Sequence, residues 1–95
     1  RQVEGPCAAV ANGYFVLQPN RVGLEDNEYG EDAVFFYGNS QVIDPRGNFV
    51  GAIGSSEHEE LLVRDLDLDM VQQMRDDWQF YRDRRPDTYG EIVLP

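Results

Sequence analysis

The groups in this sequence that could do chemistry are few: one thiol, one histidine among carboxylates, alternate aspartates, clustered arginines and an Asn-Arg pair. Cys7 is the only thiol and so the only possible sulfur nucleophile. A reactive thiolate needs a neighbouring base or cation, whereas Cys7 sits between a proline and alanines. The expectation for it is a small buried helix residue. Glu57-His58-Glu59-Glu60 holds metal-donor types, but at a spacing that matches no helical zinc motif, and the stretch reads as a solvated turn. Asp65, Asp67 and Asp69 alternate like the start of a calcium loop, yet the glycine and the closing glutamate of such a loop are missing. A strand end running into an N-capped helix accounts for them. Arg82, Arg84 and Arg85 could hold an anion, although cations complementing a helix end beside Asp83 and Asp87 explain them as well. Asn20-Arg21-Val22-Gly23 is the better candidate. A polar pair closing an apolar run, followed by the acidic stretch 24–33, is the kind of place where layered α/β proteins put a binding site.

The elements that must position these groups are organised around residues 35–50. Asp44-Pro45-Arg46-Gly47 is a tight turn, since Pro45 presets φ and Gly47 tolerates positive φ. Val42 and Ile43 before it, and Phe49 and Val50 after it, are β-favouring and predict a hairpin. Upstream, residues 6–11 form a small-residue helical surface that Asn12-Gly13 stops. Tyr14 to Leu17 is a short continuous apolar run, predicting a strand buried on both faces, and Pro19 takes the chain out of the sheet. Residues 24–33 are expected to be a surface loop. Downstream, 60–66 reads as a third strand. A helix capped by Asp67 follows, its apolar stripe running Leu68, Val71, Met74 or Arg75, Trp78, Tyr81 until Pro86 stops it. The arginines at 82–85 would then complement its negative end. The tail, 87–95, has no period, and its Tyr89, Ile92 and Val93 predict docking on something.

Composition narrows the function classes. Ninety-five residues allow at most one domain, able to bury roughly two-thirds of its unfolded surface. With 41% hydrophobic and 12% aromatic residues it is no disordered tail. The formal net charge of −10, from 18 acidic against 8 basic residues, argues against nucleic acid and anionic membranes, which need a cationic face. No run is apolar enough to span a bilayer. A lone cysteine cannot form an internal disulfide and fits a reducing, cytoplasmic compartment. The chain opens at Arg1, apparently inside a helix, which suggests a piece of something longer.

The ordered series Ala11-Asn12-Gly13-Tyr14-Phe15-Val16, Asn20-Arg21-Val22-Gly23, Phe36-Tyr37-Gly38-Asn39-Ser40 and Asp44-Pro45-Arg46-Gly47 resembles the carboxy-terminal part of the nitrilase superfamily, the carbon–nitrogen hydrolases. Asp65-Leu66-Asp67-Leu68-Asp69 and the closing Phe80-Tyr81-Arg82-Asp83-Arg84-Arg85-Pro86-Asp87 continue the likeness, which is greatest to N-carbamoyl amidases of the β-ureidopropionase or N-carbamoylputrescine amidase kind. The resemblance implies an α+β fold, part of a four-layer α-β-β-α sandwich. Residues 1–95 would form a single partial domain, with 1–85 the sandwich portion and 86–95 an extended tail packing on a partner subunit of a homo-oligomer. It implies cleavage of N-carbamoyl compounds or other small amides by a cysteine nucleophile, a glutamate base and a lysine, through a thioester, with no cofactor. Those three residues belong to family motifs upstream of the matched region. Cys7 does not match the nucleophile, and all eight basic residues here are arginines. The chain itself is therefore expected to be inactive. By motif position, Asn20, Arg21, Glu25, Phe36, Tyr37, Gly38 and Ser40 would lie near the substrate mouth. Asn20 and Arg21 could equally close the strand end through backbone hydrogen bonds.

The alternative reading is a non-catalytic module that folds by pairing with copies of itself, because half a sandwich leaves an apolar sheet face exposed. The acidic loop, with Glu25 and Asp26, favours a diamine-derived substrate over one bearing a carboxylate.

Overall fold

The computed structural model describes residues 2–26 and 32–95. Helix α1 spans Glu4–Asn12 and ends where the sequence says it must. Gly13 takes the left-handed conformation (φ 61°) and its N–H bonds Ala9 O, while the Asn12 amide donates back to Ala8 O at 2.8 Å. Strand β1 (Val16–Gln18) follows, then β2 (Val22–Glu25), β3 (Val34–Tyr37) and β4 (Gln41–Ile43). The four strands make two separate antiparallel pairs, β1 with β4 and β2 with β3. Val16 faces Ile43 in the first pair, and Val22 faces Tyr37 in the second.

The turn at 44–47 forms as its residues require. Gly47 adopts φ 86°, its N–H bonds Asp44 O, and the Asp44 carboxylate accepts from the backbone of Arg46 and Asn48. Its returning arm is short: a bridge from Phe49 to Ile43, with bonds from Asp44 N–H to Asn48 O and from Val50 N–H to Val42 O. The edge of β4 opposite this arm is occupied by β1, so the hairpin is the hub of the first sheet.

α1 lies across that sheet. Gly5 is buried against Ile43 and Gln18, and Gly47 approaches Val10 and Pro6, so small residues let helix, sheet and turn come together. Ala9, Ile43 and Pro45 are fully buried there, and the Gln41 amide donates to Gln18 across the β1–β4 register. Helix α2 (Asp69–Asp77) buries Met74 and rests Arg75 against Gly13; an exposed Arg46–Asp77 pair at 3.7 Å links it to the turn.

Several expectations are corrected. The strand after α1 begins at Val16 rather than Tyr14, and Leu17 is exposed, so it is not covered on both faces. The chain leaves β1 near Pro19 but enters a second ladder at Val22, inside a segment expected to be turn and loop; the rest of that loop, 27–31, lies outside the described residues. Residues 60–66 form no ladder with any described strand. In its place the Arg64 guanidinium donates to Val50 O (2.7 Å), Ala52 O (2.8 Å) and Val63 O (2.9 Å). α2 stops at Asp77 because Trp78 turns extended, which leaves Arg82, Arg84 and Arg85 beyond the helix rather than at its negative end. Cys7 is exposed, since α1 turns Gly5 and Ala9 inward and Cys7 away from the sheet.

The described molecule is flat and open. It measures 54 × 42 × 15 Å with a radius of gyration of 18.5 Å, where a compact chain of this length would have about 12 Å. Its accessible surface is 7460 Å², against about 5,600 Å² for a compact monomer of its mass. The helical stripe expected to be core is mostly on that surface: only Met74 is buried, while Leu68, Trp78 and Tyr81 are exposed. Residues 86–93 wind into two short 3₁₀ turns, Pro86–Thr88 and Gly90–Val93, with Ile92 and Val93 exposed.

Candidate functional site

Two chain corners meet beside β2. The first, 19–21, joins β1 to β2; the second, 38–40, joins β3 to β4. In the second corner Gly38 and Asn39 both take φ 57°, a conformation that costs glycine little and that asparagine tolerates better than most residues. The reversal turns Ser40 towards Asn20. The Ser40 hydroxyl accepts from Asn20 N–H at 2.8 Å and lies 3.3 Å from Asn20 O, to which it donates. The Asn20 amide donates to Gly38 O at 2.8 Å, and Gly38 N–H donates to Arg21 O at 2.9 Å. The side chains of Asn20 and Ser40 are thus engaged with backbone.

Arg21 projects from this clasp. Its Nη1 is 2.7 Å from Glu25 Oε2, and its Cζ stands 4.4 Å from the centre of the Phe36 ring, a cation–π contact. Both charged side chains are more than half exposed, so the pair adds little stability, but it orients the guanidinium.

The same corner carries the segment that faces it. Asn39 N–H bonds Ser55 O at 3.2 Å and Gly54 N–H bonds Ser40 O at 2.8 Å. The Ser55 hydroxyl accepts from the N–H groups of Glu57 and His58, and the Glu60 carboxylate accepts from Ser55 N–H. Between the 20–22 corner and the 54–60 turn lies a polar cleft of about 350 Å³, lined by Asn20, Arg21, Ser40, His58, Glu59 and Glu60 among others. The turn at 57–60 is exposed, as its composition suggests, yet it also forms a cleft wall, which sequence reading missed. Ser55 two and three residues before Glu57 and His58 was the available signal: a hydroxyl capping a turn.

The expected site residues divide. Asn20, Arg21, Gly38 and Ser40 come together at the corner, with Phe36 under Arg21 and Glu25 beside it. Tyr37 points elsewhere and lines a separate hollow with Gln2, Val3, Asn39 and Gln41. Among the described residues, no three His, Cys, Asp or Glu side chains are grouped to hold a metal ion, and no helix is long and apolar enough to cross a membrane.

Comparison with known proteins adds what the geometry lacks. Residues 1–76 match the family model of the carbon-nitrogen hydrolases. The chain belongs to that family. It is 42% identical over 87 residues to an N-carbamoylputrescine amidase of Solanum tuberosum, covering 90% of this chain and 29% of that protein. A beta-ureidopropionase of Arabidopsis thaliana is 30% identical and is matched by 96% of this chain over 24% of its own length. Among solved structures, a carbon-nitrogen hydrolase from Helicobacter pylori G27 superposes with a TM-score of 0.83 at 35% identity, over 94% of this chain and 30% of the other. The two helices and paired antiparallel strands are therefore a partial α+β piece of the carbon-nitrogen hydrolase fold. The chain spans about three-tenths of the length of the relatives it matches.

Proposed function

We propose that this chain is the carboxy-terminal part of a C–N hydrolase that cleaves N-carbamoyl compounds or other small amides through a cysteine thioester. The observation that carries the reading is the similarity to N-carbamoylputrescine amidases along nine-tenths of the chain. On this reading the catalytic Glu, Lys and Cys lie outside the chain, Cys7 takes no part, and the chain by itself is inactive. Asn20, Arg21, Glu25, Phe36, Gly38 and Ser40 build one side of the substrate mouth, whereas Tyr37, which lines a separate hollow, does not. Charge supports a substrate with a cationic end: Arg21 is already paired with Glu25, while Glu59 and Glu60 line the cleft opposite. No cofactor is needed for the chemistry, and the compartment is cytoplasmic.

The flat shape and excess surface favour a second feature, self-association. Residues 1–95 form one partial domain, 1–85 the sandwich portion and 86–95 a tail packing on a partner subunit, where Tyr89, Ile92, Val93 and Leu94 offer exposed apolar surface. As an alternative to the enzymatic reading, a non-catalytic oligomeric module would rest on this surface alone.

The test is ammonia release from N-carbamoylputrescine and N-carbamoyl-β-alanine. The chain alone gives none. Mixed with a polypeptide supplying the family's Glu, Lys and Cys motifs, it restores turnover of the N-carbamoyl diamine. Turnover by the isolated chain would overturn the assignment of catalysis elsewhere. No turnover from a folded mixture would leave the module reading in its place.

A further inference from the structure

Residues 38–40 touch both walls of the cleft. Through its side chain, Ser40 holds the 19–21 corner by two bonds to the backbone of one residue, Asn20. Through its carbonyl oxygen it holds Gly54, and its neighbour Asn39 holds Ser55. Ser40 is thus bonded to each side. Its hydroxyl has one proton, committed to Asn20 O, and one of its two acceptor lone pairs takes Asn20 N–H. A hydroxyl engaged in this way has no proton left to donate to a substrate.

Arg21 depends on the same arrangement. It lies between Asn20, held by Ser40 and by its own amide's bond to Gly38 O, and Val22, fixed by the ladder to Tyr37. Its carbonyl accepts from Gly38 N–H, but the ladder and that bond act on the far side of Arg21. The clasp constrains the near side, and with both ends held the guanidinium stays over the Phe36 ring and against Glu25.

We propose that Ser40 is a positioning residue, which locks the two cleft walls in register and holds the Arg21 guanidinium in place, rather than a substrate contact. The inference rests on the cleft being the substrate mouth only for its consequence. The contacts that carry it are independent of any reaction.

The experiment uses the 95-residue chain without substrate, so its failure is distinct from failure of the hydrolase reading. The Arg21 side-chain N–H resonance is expected to be displaced upfield by the Phe36 ring. In Ser40→Ala it should lose most of that displacement, while the methyl resonance of buried Ile43 keeps its native position. Ser40→Thr, which retains the hydroxyl, should restore it. A displaced resonance that survives Ser40→Ala would mean the ladder and the Gly38 bonds position Arg21 without the hydroxyl, and would overturn the proposal. Loss in both variants, with Ile43 unchanged, would also overturn it, because the hydroxyl would then not be the cause. A measurement on the unmodified chain needs no variant to fold: the Asn20 backbone amide should exchange with solvent at least ten-fold more slowly than an unprotected amide. Exchange at the unprotected rate would refute the clasp.

Discussion

Replacing Gly38 by alanine tests whether the 38–40 corner is set by backbone conformation and close approach. Two costs are expected. At φ 57° an alanine pays roughly 1–2 kcal/mol that glycine does not. Its Cβ would also fall inside contact distance of the Ser55 carbonyl oxygen and 3.3 Å from Val22 Cβ. That oxygen accepts from Asn39 N–H, so moving it costs a further ~0.5–1.5 kcal/mol. Against this, alanine reduces the freedom of the unfolded chain by about 0.4–1 kcal/mol. The net expectation is a destabilisation of about 0.5–3 kcal/mol, or a Tm lower by about 2–24 °C for a domain of this size. Two companion variants separate the terms. Gly23, at φ 114° with nothing within 4 Å of an added Cβ, reports the conformational cost alone. Gly90, equally open and without positive φ, should accept alanine within about 0.5 kcal/mol. Thermal and urea unfolding followed by circular dichroism give all three values. If Gly38→Ala matched the Gly90 variant, the argument that this corner depends on glycine would be wrong.

Gly5→Ala sets two effects in opposition. Alanine gains about 1 kcal/mol of helix propensity, but its Cβ would press on fully buried Ile43 and lie 2.6 Å from Gln18 Oε1. Overpacking at about 1–3 kcal/mol should win, so urea midpoints should fall, and a rise would show that the helix can simply move away. Arg64→Met removes three donors to backbone carbonyls and should cost about 1–3 kcal/mol by urea unfolding, with Arg64→Lys recovering only a part. A loss below 0.5 kcal/mol would mean something else holds 59–68 in place. At the carboxy-terminal end, the two-point bond with Arg85 holds Asp87 below the ordinary aspartate value, and Arg85 is raised in turn. A carboxylate depressed on folding contributes stability above its unfolded pKa and loses it as pH falls through the folded one. A carboxyl-carbon titration by NMR should therefore place Asp87 lower in the native chain than in Arg85→Gln, and equal midpoints would show that the pair does not persist in water.

What the sequence determined by itself is whatever a few neighbouring residues decide through their own dihedrals and caps. The Asn12-Gly13 stop and the Asp44–Gly47 turn are of this kind, since Gly13 and Gly47 can take positive φ wherever the rest of the chain goes. The ordered motifs carried the family as well, and with it a fold that no local pattern contains. Only the tertiary structure decided which strands pair. Val22–Glu25 is apolar at two of four positions and opens an acidic stretch, so it reads as loop until Val34–Tyr37 arrives beside it. The opposite holds for 60–66, strand-like in composition but without a neighbouring strand, where one arginine takes the place of a ladder. Cys7 turns outward because Gly5 and Ala9 occupy the contact with the sheet, a choice among helix faces that a run of small residues does not reveal. The candidate site was half legible for the same reason. Asn20-Arg21 stood out by residue type and Gly38 and Ser40 by their place in the family motifs, but their bond across 20 residues, and the 54–60 wall facing them, exist only once the corners are brought together. Local geometry is written in local residues; pairing over distance depends on what else the folded chain brings alongside.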